Sequence, residues 1–416
     1  MTGLLDGIRV VSFTHYLQGP SCAQILGDLG ADVIKIEPIG GSYERHWSGA
    51  RAFVEDESVF FLLAGRNQRS VEFNLRSDEG VEALWKLVDE ADVIVENFRP
   101  GVLDRRGFGY EAVSARNPGV VYCSLTGFGP SGPLAGRPGQ DLLIQSFSGL
   151  ASLSGRAGDP PVLMGSAIVD QHAAVLGALG IVSALFRRTR TGQGAKVDSN
   201  LLSAALDLQL EPLNYHLNGG KLWERSKSGI SSRFHQAPYG VFKTSDGWLT
   251  LSLADGATLA RAFEDERFAD FTREDQFDRR EEINQLVAEH MVTRTSAAWR
   301  SHLDEIGVWN APVNEYPELL AEEQLDANES ILTIDHPAAG TVKLLNHPVK
   351  YDGHTPALRR VPPTVGQHTG EVLAELGYDR DEIEALRAAG AVGPDRVENP
   401  FDRVAEAPVS SYSAKR

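Results

Sequence analysis

The sequence predicts an α/β fold: a Rossmann-like, doubly wound parallel sheet in a large domain, joined to a smaller α+β domain. Three observations predict it. Short β-branched runs alternate with helical patterns from Ile8 to Leu125, the rhythm of βαβ units. The stretch from Gln171 to Arg188 is apolar on nearly every face, and a helix of that kind is buried on all sides. From Ser226 the character changes to a loop, a hairpin and acidic helices, which reads as a second domain.

Ile8–Phe13 (IRVVSF) is a β-branched run between Gly7 and Thr14-His15 and predicts a buried parallel strand. Cys22, Ile25, Leu26 and Leu29 then recur at helical spacing, and ADVIKIEP gives a second strand closed by Pro38. Further strands are predicted at Ser70–Leu75, Ala91–Glu96 and Val120–Leu125, with helices at Asp78–Glu90 and from Tyr110. Gln140–Leu150 reads as helix. Val162–Met164 and Ala167–Val169 look strand-like, so Asp170 falls where an N-cap belongs. Val197–Gly220 predicts a second long helix, and Gly240–Phe242 with Trp248–Leu253 a hairpin around Ser245-Asp246-Gly247. The domain reading is 1–200 for the first part of the large domain, 201–225 as helical linker, 226–325 as small domain, 326–393 as a return to the large domain, and 394–416 as a mobile tail.

A formal net charge of −17 over 416 residues argues against nucleic acid or an anionic membrane as partner. Two cysteines, Cys22 and Cys123, and no CxxC fit a reducing cytosol. The first ten residues carry no basic segment ahead of a long apolar core and predict no signal peptide. The long apolar helix is rich in Ala and Gly and reads as a soluble core rather than a membrane span.

Several chemistries lack their motifs. There is no G-x-G-x-x-G after the first strand, no Walker A sequence, no G-x-S-x-G and no HExxH. That disfavours a dinucleotide, a serine hydrolase and a metal site. Loops carrying Gln18, Asn97, Arg99 and Gly127 fall at the C-terminal ends of predicted strands, where such sheets bind ligands. Arg66, Arg69, Arg76, Arg99, Arg105 and Arg106 crowd one span; most belong to a mixed-charge surface, but one or two at the sheet edge suit phosphate. For Asp170 the pattern leaves two roles open: a helix cap, or a carboxylate nucleophile seated beside backbone N–H donors.

Seven segments in register resemble the class III coenzyme A transferases, the CaiB/BaiF family that includes formyl-CoA transferase. They are residues 7–37, 66–75, 91–108, 139–141, the Asp170 helix with 191–198, 310–320 and 366–377. The resemblance implies that CoA moves from an acyl-CoA thioester to a carboxylic acid, with Asp170 as nucleophile and Gln18 near the thioester. It implies a CoA pocket lined by Phe73, Asn74, Leu75, Arg76, Asn97, Phe98, Arg99 and Arg105, with Gln140 beside it. It implies no tightly bound cofactor and an interlocked homodimer. Three departures stand out. Pro38 replaces an adenine-side arginine, SGISSRFHQAPYG lacks a glycine-rich lid, and Gly139-Gln140-Asp141 has Gln where the family's racemase branch has His. Gln does not exchange a proton near neutral pH, which favours transfer over 2-methylacyl-CoA racemisation. A non-catalytic CoA-binding protein is the other alternative.

Overall fold

The structure is a computed structural model that describes residues 3–221, 224–228, 232 and 234–394. The tail expected over 394–416 lies, Pro394 apart, outside the described residues, as does part of the 226–240 loop. In chain order the first elements are β1 (Arg9–Phe13), α1 (Gln18–Asp28), β2 (Asp32–Glu37), the hairpin β3 (Phe53–Val54) and β4 (Glu57–Ser58), α2 (Val59–Leu62) and β5 (Gln68–Glu72). Then come α3 (Asp78–Asp89), β6 (Val93–Glu96), α4 (Val102–Arg105), α5 (Tyr110–Arg116), β7 (Val121–Thr126), α6 (Asp141–Phe147), α7 (Ile168–Thr191) and β8 (Ala195–Asn200). Helices α8 (Leu201–Asp207) and α9 (Leu210–Leu217) lead to β9 (Tyr239–Lys243) and β10 (Trp248–Ser252). After further helices follow β11 (Trp309–Pro312), β12 (Ile331–His336), β13 (Gly340–Leu345) and two closing helices, Thr369–Glu375 and Arg380–Ala388.

The chain divides into two compact units. One comprises 1–138, 170–201 and 325–416; the other comprises 139–169 and 202–324. These bounds differ from those read off the sequence: 139–169 groups with the smaller unit, and 202–225 is part of it rather than a linker.

In the first unit six strands form a wholly parallel sheet in the order β5-β2-β1-β6-β7-β8. Side chains alternate between its faces. Val11, Phe13, Ile34, Val71 and Ile94 meet Leu84, Leu87 and Val88 of α3 and Leu373 of the first closing helix. Val10, Val33, Val93, Cys123 and Leu125 meet Cys22 and Leu26 of α1 and Ala174, Ala178 and Ile181 of α7 on the opposite face. The doubly wound sheet is thus covered on both sides, as its near-continuous apolar strands require.

The exposed edge of β5 is closed by residues some three hundred positions later. Asn67 Oδ1 accepts from the backbone of Arg359 (2.7 Å) and Arg360 (3.0 Å). The His368 amide donates to Ser70 O (2.9 Å), and Phe73 forms an antiparallel bridge with Val392. Below, Asp28 accepts two hydrogen bonds from buried Arg66 and one from Asn67, with His347 Nδ1 3.2 Å away. The return of the chain to its first unit is built from these contacts.

The second unit holds the expected hairpin: β9 and β10 are antiparallel and β11 adds a third strand. Its core gathers Leu249, Leu251, Phe263, Phe268, Val287 and Trp299.

Helix α7 departs from its sequence reading in two ways. It is not buried all round: Ala173, Ala174, Ala178 and Ile181 are, but Val175, Leu179 and Phe186 are 52, 60 and 60% exposed in the single chain. By length and composition it would cross a bilayer, yet its small residues pack on the sheet. It also starts at Ile168, so Asp170 is its third residue and not its cap. The predicted strand at Ala167–Val169 is absent because Ile168 and Val169 enter the first helical turn.

Candidate functional site at the sheet's switch point

Strands β1 and β6 are neighbours, but the chain leaves β1 toward β2 on one side and leaves β6 toward β7 on the other. Loops that diverge in this way open a crevice above the C-terminal strand ends. One side chain ties the two loops together by hydrogen bonds. Asn97 Oδ1 accepts from the His15 amide and its Nδ2 donates to the His15 carbonyl, both over 2.9 Å. Gly19 makes that contact possible, since a Cβ there would stand 2.7 Å from Thr14 Cβ and 2.8 Å from Asn97 Cγ.

His15 stacks on Phe98 with ring centroids 4.9 Å apart and lies against Tyr16 at the same distance. Burial pushes its pKa down, against the pull of Glu44 and with the help of Lys35, so the ring is neutral at pH 7. Its Nε2 is buried with no hydrogen-bond partner among the described residues. Tyr16 holds φ at 58°, a left-handed conformation that costs a non-glycine residue about 1–2 kcal/mol and that concentrates at functional sites. Gln18, the first residue of α1, is 6% exposed, and its Nε2 also has no partner among the described residues. Two polar groups therefore end up buried and unsatisfied on one short turn, which native proteins rarely tolerate without a ligand or water.

Asp170 is half-buried in the first turn of α7. Its neighbour Gln171 donates from Nε2 to Ser21 Oγ of α1 over 3.3 Å, which brings the first turns of α7 and α1 side by side. The amide of Val169 is satisfied by Asp141, whose Oδ2 accepts it at 2.8 Å while Oδ1 accepts from Gln145. Asp141 thus takes the orphan amide that a cap residue would take. The capping role left open for Asp170 by the sequence is filled by another residue.

The model of CoA-transferase family III matches residues 5–369 of this chain. The chain belongs to that family. It is 31% identical over 402 residues to succinyl-CoA:glutarate CoA-transferase of Mus musculus, covering 93% of this chain and 90% of the relative. It is also 31% identical to formyl-CoA:oxalate CoA-transferase of Rhodopseudomonas palustris, covering 95% and 99%. A CaiB/BaiF family protein from Brucella suis superposes with a TM-score of 0.79 at 33% identity, over 90% of this chain and all of that one. The family resemblance read from the seven sequence segments is correct.

Within this family III chain the remaining predicted residues fall into two groups. The guanidinium groups of Arg76, Arg99 and Arg105 follow β5 and β6, are exposed, and make no hydrogen bond or ion pair among the described residues. Free arginines at the edge of a parallel sheet suit phosphate oxygens. Phe73, by contrast, is 1% exposed inside the core. Asn74 is spent on Gly390 O (2.9 Å) and the Arg76 amide (3.1 Å), and Leu75 packs against the core. These three shape the loop that presents Arg76 and do not offer side chains of their own. Gln140 is exposed and precedes α6 without capping it. Sequence reasoning passed over His15 and Asp141. The first stood in plain view beside Gln18, and the second closes the 139–141 segment, but neither long-range bond has a local signature. Among the described residues no group of three or more His, Cys, Asp and Glu side chains could hold a metal ion.

Proposed function

We propose that this CoA-transferase moves CoA from an acyl-CoA to a carboxylic acid with Asp170 as nucleophile. The Asp170 carboxylate attacks the thioester carbonyl, the C–S bond breaks, and CoA leaves as thiolate with an aspartyl–acyl anhydride behind. The thiolate attacks the aspartyl carbonyl, releases the donor acid and forms an aspartyl-CoA thioester. The acceptor carboxylate then repeats both steps in reverse, and Asp170 is regenerated. Anhydride and thioester are close in energy, so small barriers replace a large one. Gln18 would donate to the thioester oxygen, and Arg76, Arg99 and Arg105 would hold the phosphates.

The observation that carries the reading is the Gln171–Ser21 hydrogen bond, which sets the turn bearing Asp170 beside the turn bearing Gln18 at the switch point. The names of the relatives support dicarboxylic acids, or formate, as the acids exchanged. The exposed stripe of Val175, Leu179 and Phe186 supports a homodimer, and two buried free thiols fit a reducing cytoplasm. The test is a donor and acceptor panel read by mass spectrometry. The wild type should transfer CoA and carry a CoA adduct reducible by borohydride, and Asp170→Asn should do neither while folding normally. Turnover by Asp170→Asn rejects the mechanism.

A further inference from the structure

A line of aromatic rings leaves the switch-point crevice along the surface of the first unit. It begins at His15, stacked on Phe98, and passes to Tyr16 at 4.9 Å between centroids. Tyr43 follows at 5.7 Å from Tyr16, and Trp47 at 6.2 Å from Tyr43 with the two planes 21° apart. Phe60 closes the line edge-on to Trp47 at 5.0 Å. The middle three rings are open to solvent: Tyr16, Tyr43 and Trp47 are 50, 55 and 41% exposed. A contiguous exposed apolar patch marks an interaction site or a ligand groove, which scattered residues do not.

The scaffold beneath the rings fixes them in place. Buried Lys35 of β2 donates from Nζ to Thr14 O (2.7 Å), at the foot of the loop bearing Tyr16, and to Glu44 Oε1 (2.9 Å), next to Tyr43. One ammonium thereby locks the two segments that carry the first two exposed rings. Arg45 is pinned to Glu37 by two bonds (2.7 and 2.6 Å), and Ser58 donates to Trp47 O (2.7 Å). Buried ion pairs add little stability for the desolvation they require, and Tyr16 holds its left-handed φ besides. At the inner end of the line lie His15 Nε2 and Gln18 Nε2, both buried without a partner among the described residues.

We propose that Tyr16, Tyr43 and Trp47 form a shelf for a flat aromatic acyl group, so that one of the two acids exchanged is an aryl carboxylic acid. The other is a small acid of the kind the relatives' names support. Apolar walls with a few polar groups at one end are the usual build of a small-molecule site. An aryl thioester laid on the shelf sets its carbonyl at the His15–Gln18 turn and its ring against Tyr43 and Trp47. The acyl end is chosen because the line starts beside Gln18, which the function proposed above puts at the thioester. That choice rests on the proposed function; the shelf as a stacking surface rests on the ring geometry.

The test measures acyl-CoA binding by calorimetry on the Asp170→Asn protein without acceptor acid, so that no acyl group is transferred. Benzoyl-CoA should bind about tenfold or more tighter than acetyl-CoA. It should also bind tighter than cyclohexanecarbonyl-CoA, which has the bulk without the flat face. Adding Tyr43→Leu or Trp47→Ala should cut the benzoyl preference by about two- to tenfold each, the worth of one aromatic pair. Both positions are exposed, and Tyr43→Leu keeps the apolar bulk. Tyr16→Gly, at a backbone conformation that glycine adopts freely, should cut it as well. Equal binding of benzoyl- and acetyl-CoA, or a preference untouched by all three changes, overturns the proposal. Ring changes that weaken both thioesters alike and leave benzoyl-pantetheine unaffected assign the rings to the nucleobase and overturn the acyl shelf. A benzoyl preference that the ring changes abolish, in a wild type that transfers CoA to no acid, upholds the shelf and removes the transferase reading.

Discussion

Asn97→Ala removes the side chain that hydrogen-bonds the loops after β1 and β6 to each other. Two hydrogen bonds of 2.9 Å are lost, each worth about 0.5–1.5 kcal/mol net in a folded protein. The His15 amide and carbonyl are then left in a partly buried place. Water reaches part of that space, so the further penalty stays near the low end of the ~1–3 kcal/mol range for an unsatisfied group. The expected loss is about 2–3 kcal/mol of unfolding free energy, measured by urea denaturation with the slope unchanged. The same change frees His15 from its stack on Phe98, so KM for acyl-CoA should rise about tenfold or more, while kcat falls less. Asn97→Asp separates the two bonds. It keeps the acceptor for the His15 amide but sets a carboxylate oxygen against the His15 carbonyl, and should be at least as harmful. If Asn97→Ala costs less than about 0.5 kcal/mol and leaves KM unchanged, the bridge does not organise the site.

Three further outcomes follow from the same structure. Gly19→Ala forces a Cβ to within 2.7 Å of Thr14 Cβ and 2.8 Å of Asn97 Cγ; overpacking of this kind costs about 1–3 kcal/mol, and a melting temperature equal to wild type would show that the turn yields freely. Leu179→Glu puts a charge in the middle of the exposed stripe on α7 and should turn a two-chain species into single chains in sedimentation velocity; a wild type that already sediments as one chain refutes the stripe as an interface. The Glu96 carboxyl, raised from 4.5 to about 7 in the fold, stabilises the protein fully below its unfolded value and progressively less as pH rises through the folded one. Between pH 4.5 and 7–8 the wild type should therefore lose about 3 kcal/mol relative to Glu96→Gln, at ~1.4 kcal/mol per pK unit; parallel stability profiles for the two proteins would contradict the shift.

How far the fold was legible depended on what each segment buries. Strands β1, β2, β6 and β7 are covered on both faces, so their apolar runs announce them within two residues. Strand β8 reads AKVDSN, and the sequence pattern places most of it, from Val197, in a long helix. As the outer strand of the sheet it buries little, and four of its six side chains are charged or polar. The long helix predicted beyond it is two helices, broken at Leu208-Gln209, where the Gln209 side chain turns to Ala205 O and Ser148 O. Helix α7 shows the limit of hydrophobicity as a guide: composition says that Leu179 avoids water, but not whether its own chain or another one provides the cover. The site was legible as a set of loops, because strand ends in a parallel sheet share one edge. Its internal wiring was not. The Asn97–His15 bridge spans 82 positions, and the Asp141–Val169 bond spans 28.

The edge of β5 has a consequence for how the molecule comes into being. The outer backbone groups of β5 and its flanks wait for Arg360, His368 and Val392, so a ribosome that has finished the first five strands still displays an unpaired strand edge. Such edges recruit other chains. Shortening the protein before residue 392 should thus harm yield well before it touches chemistry, and the nascent chain has reason to be sheltered until those residues have emerged.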